Sequence, residues 1–281
     1  MGSTAEQRLS DYRRNLIVDV DNPVLAFKAS RDRYAFAGPP YPPYAGFPYL
    51  GCAWSEDALT WSVFRWLQVK GHLDVIGHCL AGEPPHTVLF WGADCTKPGE
   101  EQFALGDLIR RVDGVRKGQV SEPDLVLIGP TTVHVVECKL GTAGQLRYRP
   151  WYGAGAKRFP DYQQWLQDKG VSLFRQTPIQ AEAEMFYQLI RNAFYAVALA
   201  HRLNRTHASL TALVGTQPGR QHPRYPTRAE QIAQFQRAIN PEQCEVRPCT
   251  WQEVAARLEE RLGDFLPLRK LRATLQAASQ A

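Results

Sequence analysis

The chain has 281 residues, of which 44% are hydrophobic and 22% are charged, and its formal net charge at pH 7 is +5. This composition supports a sizeable core, and the mild positive charge permits a polyanionic partner without requiring one. No apolar stretch approaches the roughly 18 residues of a membrane span, which excludes a membrane-spanning protein and favours a cytoplasmic globular enzyme.

The first 50 residues are predicted to form an arm that precedes the folded domain. Within it, residues 38–44 read Gly-Pro-Pro-Tyr-Pro-Pro-Tyr, a composition typical of an extended polyproline-type segment. We interpret this segment as a strap across the domain surface; the alternative is a ligand for an aromatic groove. Ser55 then caps a helix that runs to about Val69, whose apolar residues Leu59, Val63, Trp66 and Leu67 share one face.

Three strands are predicted in the middle of the chain. His86–Ala93 is the first, and residues 101–112 after it are ambiguous, with a short helix as one interpretation. Two apolar runs follow, Leu125–Ile128 and Val133–Val136, which are joined by Gly-Pro-Thr-Thr over 129–132. Short apolar runs on either side of a Gly-Pro turn predict adjacent strands of a buried hairpin.

The remaining elements begin with a long helix from about Pro178 to Leu203, after which Ser209–Thr216 is a strand. Two capping boxes, Thr227-x-x-Glu230 and Thr250-x-x-Glu253, open further helices, with a strand near Glu245–Pro248 between them. We expect a single domain over 51–281, with a core over about 55–216 and a C-terminal α/β extension over 217–281.

The predicted hairpin carries charge where charge should be scarce. Asp124 opens its first strand, and Glu137 and Lys139 close the second, thirteen and fifteen positions later. Side chains alternate along a strand, so Glu137 and Lys139 point the same way, and hairpin pairing brings Asp124 beside them. Buried charge must be paired or coordinated, so this grouping suggests a divalent cation next to the lysine. The alternative is an edge hairpin with solvated charged ends.

The Pro123-Asp124 pair and Glu137-x-Lys139, separated by a strand-turn-strand, resemble the PD-(D/E)XK nuclease superfamily. The resemblance implies a restriction-endonuclease-like αβββαβ core, in which a central mixed sheet is flanked by helices. It also implies Mg²⁺, or Mn²⁺ in its place, on Asp124, Glu137 and the backbone carbonyl of Cys138. Lys139 would orient the attacking water and stabilise charge on the phosphate.

Two further residues are candidates through the same resemblance. Glu56 matches a further metal-binding acid that several branches supply from the helix before the core strands; the alternative is a helix-dipole contact in a first turn. Gln188-x-x-x-Asn192 has the spacing of the Gln-x-x-x-Tyr motif of RecB-like relatives, although the tyrosine is missing. We choose Gln188 as a contact of the site or of a phosphate, against a plain surface role.

Basic and aromatic residues alternate just after the hairpin. Guanidinium groups fit phosphates and aromatic rings stack on unpaired bases, so this composition favours a nucleic-acid contact over a simple solvated loop. Five arginines without an intervening acid, between positions 202 and 228, suggest a second phosphate-facing surface. The residues of the first group are Arg147, Tyr148, Arg149, Trp151, Tyr152, Lys157, Arg158 and Phe159.

These patterns together predict a Mg²⁺-dependent nuclease that hydrolyses DNA phosphodiester bonds, in restriction, phage defence or DNA repair. The competing classes are a catalytically silent DNA-binding module and a protein-interaction module on the same fold. The six cysteines lack zinc-finger spacing and are read as reduced thiols. A homodimer is compatible with the sequence, and no membrane partner is expected.

Overall fold

A computed structural model of the chain describes residues 11–35, 49–51, 55–103, 122–140, 162–176, 187–215 and 228–280. Its centre is an open mixed sheet of six strands in the order β2-β1-β3-β4-β5-β6, flanked by helices. The strands are β1 (Thr87–Phe90), β2 (Ala93–Asp94), β3 (Leu125–Ile128), β4 (Thr132–Lys139), β5 (His207–Val214) and β6 (Glu245–Thr250).

The sheet changes direction at β4. Strands β2, β1, β3 and β4 pair antiparallel, whereas β4, β5 and β6 pair parallel. The buried hairpin is confirmed, with Leu125 opposite Val136 and Ile128 opposite Val133. Parallel strands need a crossover connection, and the long helix between β4 and β5 supplies part of it.

Helices cover both faces of this sheet. The named ones are α1 (Pro23–Ala35), α2, α3, α4 (Tyr187–Arg202), α5 (Arg228–Ala238), α6 (Trp251–Leu262) and α7 (Leu266–Gln280). Here α2 comprises Glu56–Thr60, a π-helical turn Trp61–Arg65 and Trp66–Val69, and α3 comprises Leu73–Ile76 and a π-helical turn Gly77–Ala81. No helix among the described residues is long and apolar enough to cross a membrane.

Two cores result, one on each face. Val136 and Cys138 of β4 pack with α2, α3, α6 and α7, while Val133 and Val135 pack with α4 and α5. This alternation follows from the period of two along a strand, and it directs odd-numbered β4 residues towards α4. Thr250 caps α6 in the predicted capping box with Glu253, whereas Thr227 lies outside the described residues.

The N-terminal segment differs from the expectation of an arm. Tyr12, Leu16, Val24, Leu25 and Ala29 are buried in the same core as α2. The segment has too few apolar residues at helical spacing for its sequence to predict that it is buried. Its burial depends on packing against the apolar face of α2. The Pro-rich residues 38–44 lie outside the described residues.

The first predicted strand is a short hairpin instead. Trp91 and Gly92 both have positive φ, 50° and 83°, and they separate β1 from β2. Two consecutive residues with positive φ form the tight turn that suits paired antiparallel strands. Of residues 101–112 only the end of a 3₁₀ helix, Gly99–Phe103, is described. The long helix is described from Tyr187, nine residues after its predicted start.

Glu83 holds the turn between β3 and β4. Its Oε1 accepts hydrogen bonds from the backbone N–H groups of Thr131 (3.0 Å) and Thr132 (2.7 Å), and its Oε2 accepts one from Thr131 Oγ1. Gly129 lies against this carboxylate, where an added Cβ would collide with it. The turn is therefore fixed from outside the hairpin, which keeps β3 and β4 in register.

Candidate functional site

The charged residues of the hairpin meet at one end of the sheet. Asp124 directly precedes β3 and therefore lies opposite Glu137, since Leu125 pairs with Val136. Lys139 is the last residue of β4, and Glu56 is the first residue of α2, on the opposite side of the site. The predicted convergence of two carboxylates and one amine is present, with Glu56 as a third carboxylate.

The ammonium of Lys139 is at the centre of this group. Its Nζ lies 2.7 Å from Glu137 Oε1, 3.2 Å from Glu56 Oε1 and 3.9 Å from Asp124 Oδ2. It also donates a hydrogen bond of 2.8 Å to the carbonyl oxygen of Cys138. Four oxygen atoms, three of them from carboxylates, thus surround one cation.

Asp124 is held by the strand next to it. Its Oδ2 accepts a 2.7 Å hydrogen bond from the backbone N–H of Cys138. Burial and the neighbouring charge of Glu137 raise the pKa of Asp124 well above its usual range, against the opposing effect of Lys139. The carboxyl group therefore resists ionisation unless more positive charge is brought to the site.

Glu137 is the most enclosed of the three acids, with 2% of its surface exposed. Asn192 Nδ2 donates a 2.6 Å hydrogen bond to Oε2, and Arg191 Nη2 lies 3.5 Å from the same atom. Burial alone would raise the pKa of Glu137, but the charges of Lys139 and Arg191 and the hydrogen bonds lower it. Glu137 is therefore kept as an anion inside the core.

Glu56 reaches the site because Ser55 starts its helix there. Ser55 Oγ accepts a hydrogen bond from Ala58 N–H, as expected of an N-cap. Glu56 then places Oε1 on Lys139 and accepts a 3.3 Å hydrogen bond on Oε2 from Leu140 N–H. The side chain bridges to the end of β4, so its position depends on more than the helix dipole.

Lys139 remains charged in this setting. Burial would lower the pKa of Lys139, but the charges of Glu137, Glu56 and Asp124 outweigh it and raise the pKa well above the usual value. A lysine with a raised pKa is a poor proton acceptor. The ammonium of Lys139 can therefore donate hydrogen bonds in this cluster but is poorly suited to accept a proton.

The predicted role of Gln188 as a contact of the site or of a phosphate stays a prediction. Its Oε1 is buried and has no hydrogen-bond partner among the described residues, whereas Asn192, one helical turn later, contacts Glu137. Arg191 was not chosen from the sequence, although it is also at the site. The signal was an arginine and an asparagine between the apolar residues of a helix, because such polar groups need polar partners when they are buried.

A second charged group adjoins the site beside Asp124. Asp57 Oδ1 accepts a 3.0 Å hydrogen bond from Trp91 Nε1, and its Oδ2 lies 3.2 Å from Lys28 Nζ. The backbone N–H of Trp91 in turn donates to the carbonyl of Asp124 (3.2 Å). Residues of the N-terminal segment and of the β1–β2 turn therefore line the site, which the sequence did not predict.

The donor set suits a hard divalent cation in its chemistry. Three carboxylates and a backbone carbonyl are the oxygen ligands that Mg²⁺ and Mn²⁺ prefer. Across the described ranges, however, no group of three or more His, Cys, Asp and Glu side chains is arranged to hold a metal ion directly. The carboxylates here surround the ammonium of Lys139, which already supplies the positive charge between them.

The side chain of Cys138 does not point into the site. It lies in the core on the other face of β4, and burial raises its pKa well above the usual value. The predicted loop contacts at Arg147, Arg149, Trp151, Lys157 and Arg158 lie outside the described residues.

No family model, no curated protein and no solved structure matches this chain.

Proposed function

We propose that this protein is a Mg²⁺-dependent deoxyribonuclease of the PD-(D/E)XK type on a restriction-endonuclease-like fold. The observation that carries the proposal is the convergence of Asp124, Glu137, Lys139 and Glu56 around one point at the end of the hairpin. Three acids and a lysine placed together in a largely buried position are costly for stability, and such clusters are concentrated at functional sites.

The fold is compatible with this reading. In chain order, helices α1 to α3 precede the antiparallel strands β1 to β4, and helix α4 then leads to the parallel strand β5. This order can accommodate the proposed αβββαβ core with added elements. The acids come from the strand ends and from the start of α2. These positions are fixed by the backbone, so the side chains need little reorganisation before a substrate binds.

Asp124, Glu137 and the Cys138 carbonyl would hold the magnesium ion, with Glu56 as a further ligand. When bound, this ion supplies Lewis-acid stabilisation of the phosphate and lowers the pKa of a coordinated water. Asn192 and Arg191 hold one oxygen of Glu137 in place, and Cys138 N–H does the same for Asp124. These contacts fix both carboxylates, and Oε1 of Glu137 is left facing Lys139.

Lys139 would stay protonated throughout the reaction. Its ammonium can donate to a non-bridging phosphate oxygen and to the attacking water, which aligns both and offsets the negative charge that develops on the phosphate oxygens. A general-base role is disfavoured because the surrounding carboxylates raise the pKa of this lysine. The proton of the water must therefore leave through solvent or the substrate.

A cleavage panel tests the proposal. Linear, circular, single-stranded and branched DNA are incubated with Mg²⁺, Mn²⁺ or Ca²⁺, and the products are separated by electrophoresis. We expect turnover with Mg²⁺ and Mn²⁺ and binding without turnover with Ca²⁺, because the looser shell of calcium does not present water with the same geometry. Absence of cleavage on every substrate and metal would refute the enzymatic assignment.

Point variants link any activity to this site. Asp124→Asn, Glu137→Gln and Lys139→Ala should each abolish cleavage, and Glu259→Gln is the matched control because this carboxylate lies half-exposed on α6. Full activity in any of the first three variants would show that another site, or a contaminant, performs the reaction. Retained DNA binding without cleavage in the parent protein would favour the catalytically silent DNA-binding module.

The predicted DNA-binding role of the loop is tested separately. Changing its four basic residues to glutamine should reduce the slope of log K against log salt by about 0.9 for each duplex phosphate that the protein no longer neutralises. Changing the aromatic residues to alanine should weaken single-stranded binding by about 1–3 kcal/mol per stacked base. The basic residues are Arg147, Arg149, Lys157 and Arg158, and the aromatic residues are Tyr148, Trp151 and Tyr152.

A further inference from the structure

The ammonium of Lys139 occupies the point on which the proposed metal ligands converge. Its four neighbours are the carboxylates of Glu56, Asp124 and Glu137 and the carbonyl of Cys138. An ammonium and a divalent cation repel each other strongly at such distances in a poorly solvated site, so both cannot use the same oxygen atoms at once. Lys139 therefore has to leave before this set of oxygens can coordinate a metal.

Each carboxylate has a second donor that does not depend on Lys139. Glu137 Oε2 is held by Asn192 and Arg191, and Glu56 Oε2 is held by the N–H of Leu140. Asp124 Oδ2 accepts from the N–H of Cys138. Loss of the ammonium thus leaves the three acids anchored, with Oε1 of both glutamates turned towards the vacated point.

Arg191 makes this anchoring electrostatically sustainable. Its side chain is 2% exposed and contacts Oε2 of Glu137, whereas Lys139 contacts Oε1 of the same carboxylate. A buried carboxylate that loses its only cation is strongly destabilised. Glu137 keeps a permanent counter-ion in Arg191, so its second cation can be replaced.

The exposure of the site indicates where Lys139 can move. The side chains of Lys139, Asp124 and Glu56 are 11%, 13% and 23% exposed, whereas that of Glu137 is 3% exposed. The cluster is closed on the side of α4 and opens towards Glu56. A lysine side chain is long and flexible enough to carry its ammonium to solvent while its stem stays packed.

We propose that Lys139 is an internal counter-ion that a divalent cation replaces. Arg191 and Asn192 hold Glu137 in position during this exchange. This inference rests on the metal site of the proposed function. In the metal-free protein, Lys139 neutralises the acids and preserves their arrangement. In the loaded protein, the displaced ammonium remains close to the site and is free to contact the substrate phosphate.

Calorimetric titration of the full chain with Ca²⁺, without DNA, tests the exchange. Lys139→Met should bind Ca²⁺ about 10- to 100-fold more tightly than the parent, the affinity equivalent of one charge-assisted hydrogen bond that the metal no longer breaks. Lys270→Met is the matched control because Lys270 is also partly buried but donates to the amide oxygen of Asn15. Its Ca²⁺ affinity should equal that of the parent.

A second pair of variants covers the case in which Lys139→Met does not fold without metal. Glu56→Gln and the double variant Glu56→Gln/Lys139→Met are compared; the double variant removes one acid and one base and so keeps the local net charge. The double variant should again bind Ca²⁺ more tightly than Glu56→Gln alone, and its melting temperature should rise more on Ca²⁺ addition. Equal or weaker binding in both lysine variants overturns the exchange.

The positioning role of Arg191 has its own readout. Arg191→Met should weaken Ca²⁺ binding at least as much as Asn192→Ala. Arg191→Lys should recover part of the affinity because it restores a positive charge beside Oε2 of Glu137. Unchanged affinity in Arg191→Met overturns this part of the proposal. If Lys139→Met binds Ca²⁺ more tightly but the parent protein does not cleave DNA, the nuclease proposal alone is refuted. If the parent protein cleaves DNA but Lys139→Met does not bind Ca²⁺ more tightly, the exchange alone is refuted.

Discussion

His134 is predicted to make the protein sensitive to mild acid. It lies in the middle of β4 with no exposed surface, paired with Ser209 Oγ through Nδ1, and its Nε2 has no partner among the described residues. Burial, and secondarily the charge of Arg247, lowers the pKa of His134 from 6.5 to about 3. The folded protein therefore holds this imidazole neutral throughout the pH range in which the unfolded chain protonates it.

The size of the stability loss follows from the difference between the pKa of His134 in the unfolded chain and its pKa in the folded protein. Stability from a neutral buried histidine is fully present above the unfolded pKa of about 6.5 and is lost as the pH falls towards the folded pKa. Each pH unit in that window costs about 1.4 kcal/mol. At pH 5 the parent protein should thus have lost about 2 kcal/mol through His134, and close to pH 3 the loss should approach about 5 kcal/mol.

Urea unfolding of the parent and of His134→Asn at pH 7.5 and at pH 5.0 measures this loss. The variant cannot titrate at this position, while the other acids and histidines change both proteins alike and cancel in the difference. The parent should be the more stable at pH 7.5, and its advantage should shrink by about 2 kcal/mol at pH 5.0. A difference that does not change with pH would refute the assignment of a neutral, buried His134.

Three further predictions concern stability. Burial lowers the pKa of Lys270 to about 8, so protonated Lys270 opposes folding below that pH. Lys270→Met should therefore raise the free energy of unfolding at pH 7 by about 1–2 kcal/mol, after allowance for the partial exposure of Lys270. This gain should vanish near pH 10.5, where the lysine is neutral in both the folded and the unfolded chain. Gly129→Ala should cost about 1–3 kcal/mol in urea unfolding because its Cβ displaces the Glu83 carboxylate from the turn. Thr250→Ala should cost about 1 kcal/mol by removing the cap of α6, and Thr250→Ser should restore it.

Local patterns in the sequence determined most of the elements around the site. Short apolar runs on either side of a Gly-Pro turn predicted β3 and β4, and Ser55 and Thr250 predicted the starts of α2 and α6; the structure has all of them. These signals are local because hydrophobic period and capping depend on residues only a few positions apart. The pairing of Asp124 with the end of β4 followed from the same hairpin logic.

Other features depended on the packing of distant segments. Gln188 and Asn192 lie one turn apart on α4, so helical spacing alone could not decide which of them reaches Glu137. The N-terminal residues are buried in the same core as α2, and Lys28 approaches Asp57, 29 positions later in the chain. Such contacts are set by the relative placement of whole elements, which no short window of sequence contains.

The charges of the site show most directly which properties the sequence determined and which the tertiary structure decided. The sequence alone determined which ionisable groups are present and that hairpin pairing would bring Asp124, Glu137 and Lys139 together. Only the tertiary structure decided that Glu137 has Arg191 behind it and that Lys139 lies among three carboxylates. Coulomb interactions and desolvation depend on distance and burial in three dimensions, so the protonation state of each group is a property of the fold.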